Sequence, residues 1–184
     1  MLTHIDHVGI ACRDLEEKIS FYCATFGLTV ASREVNEEQG VREAMLLVAT
    51  PAPEAVGVPD LRAAEAAAGS PGTDLRAAAG AAAGSPGARV LPLLASYIQL
   101  LEPLRPDSPV GKFLDRRGEG IHHIGYGVTD VRAAIAAIGA GGVRLIDERP
   151  RHGSMGASIA FLHPADVGGV LTELVEHPEE HTGF

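Results

Sequence analysis

Four residues able to hold a divalent cation recur at matched places in this 184-residue chain. His7 stands in "LTHIDHVGIA" (2–11), and His123 stands 116 positions later in "GEGIHHIGYGV" (118–128). At that offset Ile5, Val8, Gly9 and Asp14 face Ile121, Ile124, Gly125 and Asp130. The segments that close each half, "SYIQLLEP" (96–103) and "GVLTELVEH" (169–177), supply Gln99 and Glu173 at equivalent positions. Two imidazoles, one amide oxygen and one carboxylate form an N/O donor set suited to a divalent ion of borderline hardness, with two coordination positions to spare. A catalytic metal needs such open positions and a structural one avoids them. A lone histidine on an apolar strand is more often a hydrogen-bonded core residue, and Gln99 or Glu173 alone would pass for strand-face polarity. The symmetry favours the metal site, because all four fall at repeat-equivalent positions in otherwise apolar strands. His4 and His122 have no repeat partner and are expected at the surface or beside the site rather than in it.

Glu43 matters for the opposite reason: it breaks the repeat. It lies 36 residues after His7, whereas the residue 36 after His123 is Ile159. In "GVREAMLLV" one strand face carries Val41, Glu43, Met45 and Leu47. A carboxylate on such a face is costly unless it is paired or used. Either the face is solvent-exposed where it begins, or Glu43 is a general base beside the metal.

The elements that would position these groups also read in duplicate. Residues 4–12 alternate as a strand; Asp14 then suits a helix N-cap, with Glu16 and Glu17 where the helix dipole favours anions. Leu15, Ile19, Tyr22, Cys23 and Phe26 follow at helical spacing, and Gly27 can close the helix. The second copy predicts a strand over 121–128, a cap at Asp130, apolar Val131, Ala134, Ile135 and Ile138, and a stop at Gly139. Extended segments are expected at 28–35 and 41–48, then at 143–147 and 157–162. The unit is strand–helix–three strands, twice, which predicts an α+β fold of two βαβββ modules forming a cupped mixed sheet around the metal site. Module one covers 1–103 and module two 118–178, joined by a linker helix at 108–117 with Ser108 as cap and Pro109 in the first turn.

The two copies differ in length. His7 to Gln99 is 92 residues and His123 to Glu173 is 50, an excess of 42 in the first. Residues 51–93 account for it: a low-complexity Ala/Gly/Pro insertion with its own repeat, "DLRAAEAAAGSPG" then "DLRAAAGAAAGSPG". With few large side chains it has little area to bury against the entropy of ordering, so it is read as a surface loop inserted in one hairpin of a single domain, 1–184.

Composition narrows the function classes. A net charge of −9 argues against a nucleic-acid surface. No apolar run is long enough to span a membrane, and the N-terminus lacks a signal-peptide layout. Cys12 and Cys23 are too few for a disulfide framework and fit a reducing, cytoplasmic setting. "ERPRHGSMGAS" (148–158) offers Arg149, Arg151 and His152, either for phosphates or a substrate carboxylate, or as solvated charge.

Taken together and in order, "IDHVGIA", "QGVREAML", "YIQLLEP", "GIHHIGYGV", "IAFLHP" and "GVLTELVEH" resemble the methylmalonyl-CoA epimerases, vicinal-oxygen-chelate enzymes built from paired βαβββ modules. The resemblance covers nearly the whole chain except 51–93, where the insertion departs from the family pattern. It implies a divalent metal ion, Co2+ first and Mn2+, Ni2+ or Zn2+ otherwise, held by His7, Gln99, His123 and Glu173. It also implies that Glu43 and Glu173 flank the acidic C2 of a CoA thioester, and that the enzyme is a homodimer acting in propionyl-CoA metabolism. The implied reaction interconverts the (R) and (S) epimers through an enolate, with one carboxylate removing and the other delivering a proton. A metal-bound carboxylate is a poorer base, so Glu173 suits the second role less well than Glu43 suits the first.

Three other readings share the fold. A glyoxalase-type isomerase or lyase would carry Glu where Gln99 stands. A non-haem iron dioxygenase would use His7, His123 and Glu173, leave Glu43 idle, and consume oxygen. A non-catalytic small-molecule-binding protein would not need ligand-type residues at all four positions.

Replacing Pro51–Leu93 with a short turn is expected to preserve the fold and most of the epimerase rate, because loop-closure cost changes slowly with length. A soluble, metal-loaded deletion variant without activity would instead make the insertion a lid or an assembly element.

Overall fold

The computed structural model describes residues 1–48 and 95–178, so the insertion at 51–93 lies outside the described residues. In chain order the elements are β1 (Leu2–Ala11), α1 (Leu15–Phe26), β2 (Thr29–Asn36), β3 (Val41–Val48), β4 (Ser96–Pro103), α2 (Pro109–Arg117), β5 (Gly120–Val128), α3 (Val131–Ala140), β6 (Arg151–His152), β7 (Ser158–Leu162) and β8 (Leu171–Glu176). A short 3-10 turn, Ser154–Gly156, connects β6 to β7.

The two module helices start as their sequences dictate. The Asp14 carboxylate accepts the Glu17 N–H and the Asp130 carboxylate accepts the Ala133 N–H, each at 2.9 Å. Each such cap stabilises its helix by about 1 kcal/mol. Ser108 caps α2 by accepting the Gly111 N–H, with Pro109 following at the helix start. Gly27, at φ 70°, ends α1. Helix α3 runs past the expected stop at Gly139 to Ala140, since Gly139 stays helical and Gly142 (φ 86°) makes the left-handed turn.

The strands form one mixed eight-stranded sheet in the order β2-β3-β4-β1-β5-β8-β7-β6. Strand β1 pairs parallel with β4, and β5 pairs parallel with β8; the outer neighbours in each module are antiparallel. The modules meet where β1 and β5 run antiparallel. This is the α+β arrangement of two βαβββ units, a curled sheet with three helices among the described residues.

One expected strand is not there. Residues 143–147 form no strand: they make a single isolated β-bridge to β7, Leu145–Leu162, and the strand next to β7 is the two-residue β6. The cause is local: Ile146 and Asp147 both donate their N–H to the Phe161 carbonyl, while the Asp147 carboxylate takes the Phe161 N–H. A side chain occupies the donor that a regular ladder would use, and Pro150 has no N–H to resume one.

The helices bury matching stripes against the sheet. In module one Leu15 and Ile19 pack with Cys12, Ala44, Leu46 and Leu100. In module two Val131 and Ile135 pack with Val128, Ala160, Leu162 and Leu174, which are the repeat-equivalent positions. Val110 and Leu114 of α2 pack against Ala11, Val41 and Leu101, fixing the linker over one end of the sheet.

The β1–β5 pairing places Gly9 opposite His123 and His7 opposite Gly125. A Cβ on Gly9 would lie 2.2 Å from His123 Cε1, and one on Gly125 would lie 2.4 Å from His7 Cε1. Each glycine leaves the space that the other module's imidazole fills. Gly9→Ala and Gly125→Ala are each expected to lower stability by about 1–3 kcal/mol, the usual cost of overpacking, and to weaken divalent-metal binding, read by thermal melts and metal analysis. Unchanged values for both variants would mean that the rings do not pack there.

Candidate metal centre and its carboxylates

Adjacent strands carry the candidate groups in two rows. Gln99 on β4, Gly9 on β1 and His123 on β5 are register partners in sequence, and so are His7 on β1, Gly125 on β5 and Glu173 on β8. Because both central positions are glycines, the side chains on either side converge. His7 Nε2 lies 2.9 Å from His123 Nε2, and Glu173 Oε2 lies 2.9 Å from the first and 3.1 Å from the second. All three residues are buried.

Two imidazole nitrogens and a carboxylate oxygen this close together need a shared positive charge, either a proton on an imidazole or a metal ion. Ligands about 2.1 Å from one ion and at right angles to each other stand about 3 Å apart, which is the spacing found here. One buried oxygen points the same way: Gln99 Oε1 has no hydrogen-bond partner, while Glu173 Oε2 is met only by the two imidazoles. The residues present therefore fit a divalent metal ion, with His7, His123, Glu173 and Gln99 as its candidate ligands.

The electrostatics agree with that fit. Burial opposes a charge on His7, but hydrogen bonds to Asp6 and Glu173 outweigh it and raise its pKa. Burial would raise the Glu173 pKa, yet the contacts with His123 and His7 pull it well down. A protonated imidazole against a buried carboxylate is the neutralisation available to the chain's own groups, and a metal ion would serve the same end.

Asp6 was not apparent from strand alternation, which puts it on the face opposite His7. A register shift in β1 between Ile5 and His7 brings both inward. Asp6 Oδ1 lies 2.8 Å from His7 Nδ1, and Asp6 Oδ2 lies 2.7 Å from His177 Nε2. A carboxylate on Nδ1 fixes the ring and directs Nε2 towards the centre. His4 lies 3.6 Å from Asp6, and His122 Nδ1 lies 3.0 Å from His123 Nδ1, so both stand beside the candidate ligands.

Glu43 on β3 is 2% exposed, so the exposed-face explanation fails. Gln99 Nε2 donates to Glu43 Oε2 at 2.9 Å and to Ser154 Oγ at 2.8 Å, and Ser154 Oγ donates to Glu43 Oε1 at 2.6 Å. Burial raises the Glu43 pKa, the Ser154 hydrogen bond lowers it, and the charges of Glu34 and Glu173 raise it further. Ser154 belongs to module two and lies 111 residues from Glu43, so no local pattern marks it; its one signal is the pair of glycines that bracket "SM" in "HGSMGAS". Of the three cationic candidates in this segment, Arg151 is engaged by Glu38 and Asp147, while Arg149 and His152 are exposed.

Comparison with known proteins gives a consistent result. The model of the Glyoxalase/Bleomycin resistance protein/Dioxygenase superfamily matches residues 4–174. An ethylmalonyl-CoA/methylmalonyl-CoA epimerase of Cereibacter sphaeroides is 39% identical over 123 residues, spanning 65% of this chain and 92% of that protein. A solved methylmalonyl-CoA epimerase in complex with methylmalonyl-CoA and NH4+ is 44% identical, covers 97% of each chain and superposes with a TM-score of 0.72. A variant of the Streptomyces coelicolor methylmalonyl-CoA epimerase in complex with 2-nitronate-propionyl-CoA is 43% identical over 100% of both chains, with a TM-score of 0.73. With this fold, this site and these relatives, the chain belongs to the Glyoxalase/Bleomycin resistance protein/Dioxygenase superfamily and, within it, to the methylmalonyl-CoA epimerases, a group of isomerases.

Proposed function

We propose that the chain interconverts (R)- and (S)-methylmalonyl-CoA at C2, with Glu43 and Glu173 as the acid–base pair. The observation that carries this reading is Glu43 itself, a buried carboxylate held by Gln99 and Ser154 beside the His7–His123–Glu173 cluster. Proton exchange at C2 needs a group on each face of that carbon. Glu43 takes or returns the proton on one face and Glu173 serves the other, the roles exchanging with direction. A pKa raised by burial suits Glu43 to both steps, because such a carboxylate accepts a proton more readily than a solvated one. His7, His123, Gln99 and Glu173 are the proposed metal ligands, with Co2+ the ion proposed and Mn2+, Ni2+ or Zn2+ as substitutes. Bound there, a divalent ion would supply positive charge for the enolate that develops as the C2 proton leaves. The chain contributes the rest: Asp6 orients His7, Gln99 and Ser154 orient Glu43, and apolar Met45 and Phe161 help wall the site from water.

A cavity of about 450 Å³, lined by Asp6 (the partner of His7), His177, Tyr97, Met155 and Val175, is the proposed place for part of the substrate. The two modules are taken to act as a single domain with 51–93 as an insertion. Exposed apolar side chains on α1 (Phe21, Phe26) and the central strands (Ile5, Ile121) support a homodimer. No helix among the described residues is long and apolar enough to cross a membrane, and the free thiols Cys12 and Cys23 support a cytoplasmic setting.

NMR of methylmalonyl-CoA in D₂O tests the reaction: wild-type enzyme is expected to exchange the C2 proton with racemisation, and a metal-loaded protein that exchanges none would refute it. His7→Ala and His123→Ala are each expected to lose metal, whereas His122→Ala should be much milder; equal losses at 122 and 123 would contradict the proposed ligand set. Glu43→Gln keeps size and hydrogen-bonding capacity but cannot take a proton, so its rate should fall by about 10²–10⁴, with metal content and substrate affinity little changed. Glu173→Gln should damage metal binding and turnover together. A Glu43→Gln enzyme racemising at the wild-type rate would remove Glu43 as a base, and loss of its metal would make Glu43 a ligand instead.

A further inference from the structure

We propose that Glu34 on β2 is a positioning residue, which grips the backbone of the Ser154–Gly156 turn so that the Ser154 hydroxyl reaches Glu43. The proposal rests on the reading of Glu43 as an acid–base group. Met155 has φ 55° and ψ 30°, and among the described residues it is the single non-glycine residue with positive φ. L side chains rarely adopt that conformation, so the surroundings must over-determine it. The turn's own bonds tie Gly153 to Ala157 and Ala157 to Ser154, and leave the Met155 N–H pointing away from the turn. Glu34 Oε1 accepts that N–H at 2.9 Å, across 121 residues of sequence and from the other module.

The register makes Glu34 an unusual choice. Glu34 and Glu43 are direct partners on β2 and β3, and like charges in directly opposed pairs destabilise a sheet. Glu34 needs a compensating donor, and a backbone N–H held in place is one. The contact also explains why the turn crosses to the other module. One residue before Met155, the Ser154 hydroxyl donates to Glu43 Oε1 and accepts from Gln99 Nε2. One residue beyond the β2 end of the β2–β3 hairpin, Glu37 precedes Glu38, whose carboxylate pairs with Arg151 at 2.8 Å. The β2–β3 hairpin thus holds the turn at Met155 and the strand that leads into it, β6, at Arg151. Met155 meanwhile lines the cavity beside Asp6 and His177, so the clasp sets one cavity wall as well as one partner of Glu43.

Glu34 acts through Met155 and Ser154. Glu34→Ala removes the acceptor, and Glu34→Gln keeps a carbonyl oxygen at the same reach while removing the charge. For Glu34→Ala we expect kcat to fall by about 10–10²-fold, the scale of misplacing a catalytic group by about 1 Å, with metal content close to wild type. Glu34→Gln should restore most of the rate. Amide hydrogen exchange of Met155 gives a second readout that does not need turnover: the N–H should be protected in wild type and in Glu34→Gln, and should exchange faster in Glu34→Ala. A Glu34→Ala enzyme with wild-type kcat, a Glu34→Gln enzyme as impaired as Glu34→Ala, or unchanged Met155 exchange in Glu34→Ala would each overturn the clasp while leaving the epimerase reading intact. Wild-type protein that never exchanges the C2 proton would overturn the epimerase reading, and the role of Glu34 in catalysis with it.

Discussion

Antiparallel pairing of β1 with β5 is the constraint from which the site follows. It runs the two copies of one strand past each other so that each histidine stands opposite the other copy's glycine. A larger residue at either glycine position would occupy the volume that an imidazole fills. The same pairing extends outward through the parallel partners: β4 brings Gln99 level with Gly9, and β8 brings Glu173 level with Gly125. His7, His123 and Glu173 converge from three strands, with Gln99 in the same row as His123, because the two positions at the centre of the rows have no side chain. The histidines and glycines are thus one device, and the helices α1 and α3 serve it by packing equivalent stripes against the back of each module.

Such convergence is expensive in a buried, largely apolar setting, and the distribution of hydrogen bonds shows how the chain meets the cost. Asp6 holds the far side of His7, and His177 in turn holds Asp6. Glu43 receives the Gln99 amide and the Ser154 hydroxyl. The buried atom left without a hydrogen bond, Gln99 Oε1, belongs to a candidate ligand and not to a support. Buried polar groups without partners are rare because each forfeits its solvation. Here the deficit falls where a cation would remove it. The symmetry ends at this point: where module one has Glu43, module two has Ile159, packed with Ala157, Phe161 and Val175. Duplication explains the scaffold, and this one departure from it supplies a carboxylate that the metal set does not require.

Much of this is visible in the sequence because the repeat turns a three-dimensional relation into a fixed offset, 116 before the insertion (His7 to His123) and 74 after it (Gln99 to Glu173). The caps at Asp14, Asp130 and Ser108 and the strands around both histidines follow from local chemistry plus that offset, which also places the four candidate ligands on matched strands. What escapes it depends on contacts that carry no period. Asp6 turns inward through a bulge, which alternation cannot foresee. Ser154 and Glu34 matter through contacts spanning 111 and 121 residues. The 143–147 segment has strand-like composition, but one carboxylate, Asp147, takes the backbone donor that a ladder needs. In each case a side-chain hydrogen bond or a bulge overrides a local pattern.

The choice of glutamine at 99 can be argued from the same bonds. An amide presents a donor and an acceptor on opposite sides, and the ionised Glu43 carboxylate can only accept. The Gln99 Nε2 must therefore face Glu43 and Ser154, and this leaves Oε1 on the side away from them. A glutamate there would set a carboxylate directly against Glu43, with Glu173 already charged nearby, and would lose the donors that hold Glu43 in place. One of two outcomes would follow: Glu43 would be pushed out of the cluster, or one of the two carboxylates would have to keep a proton. Glutamine at 99 and glutamate at 43 are thus a matched pair. The substitution that separates this chain from a glyoxalase-type ligand pattern is the one that lets a free carboxylate sit beside the candidate ligands.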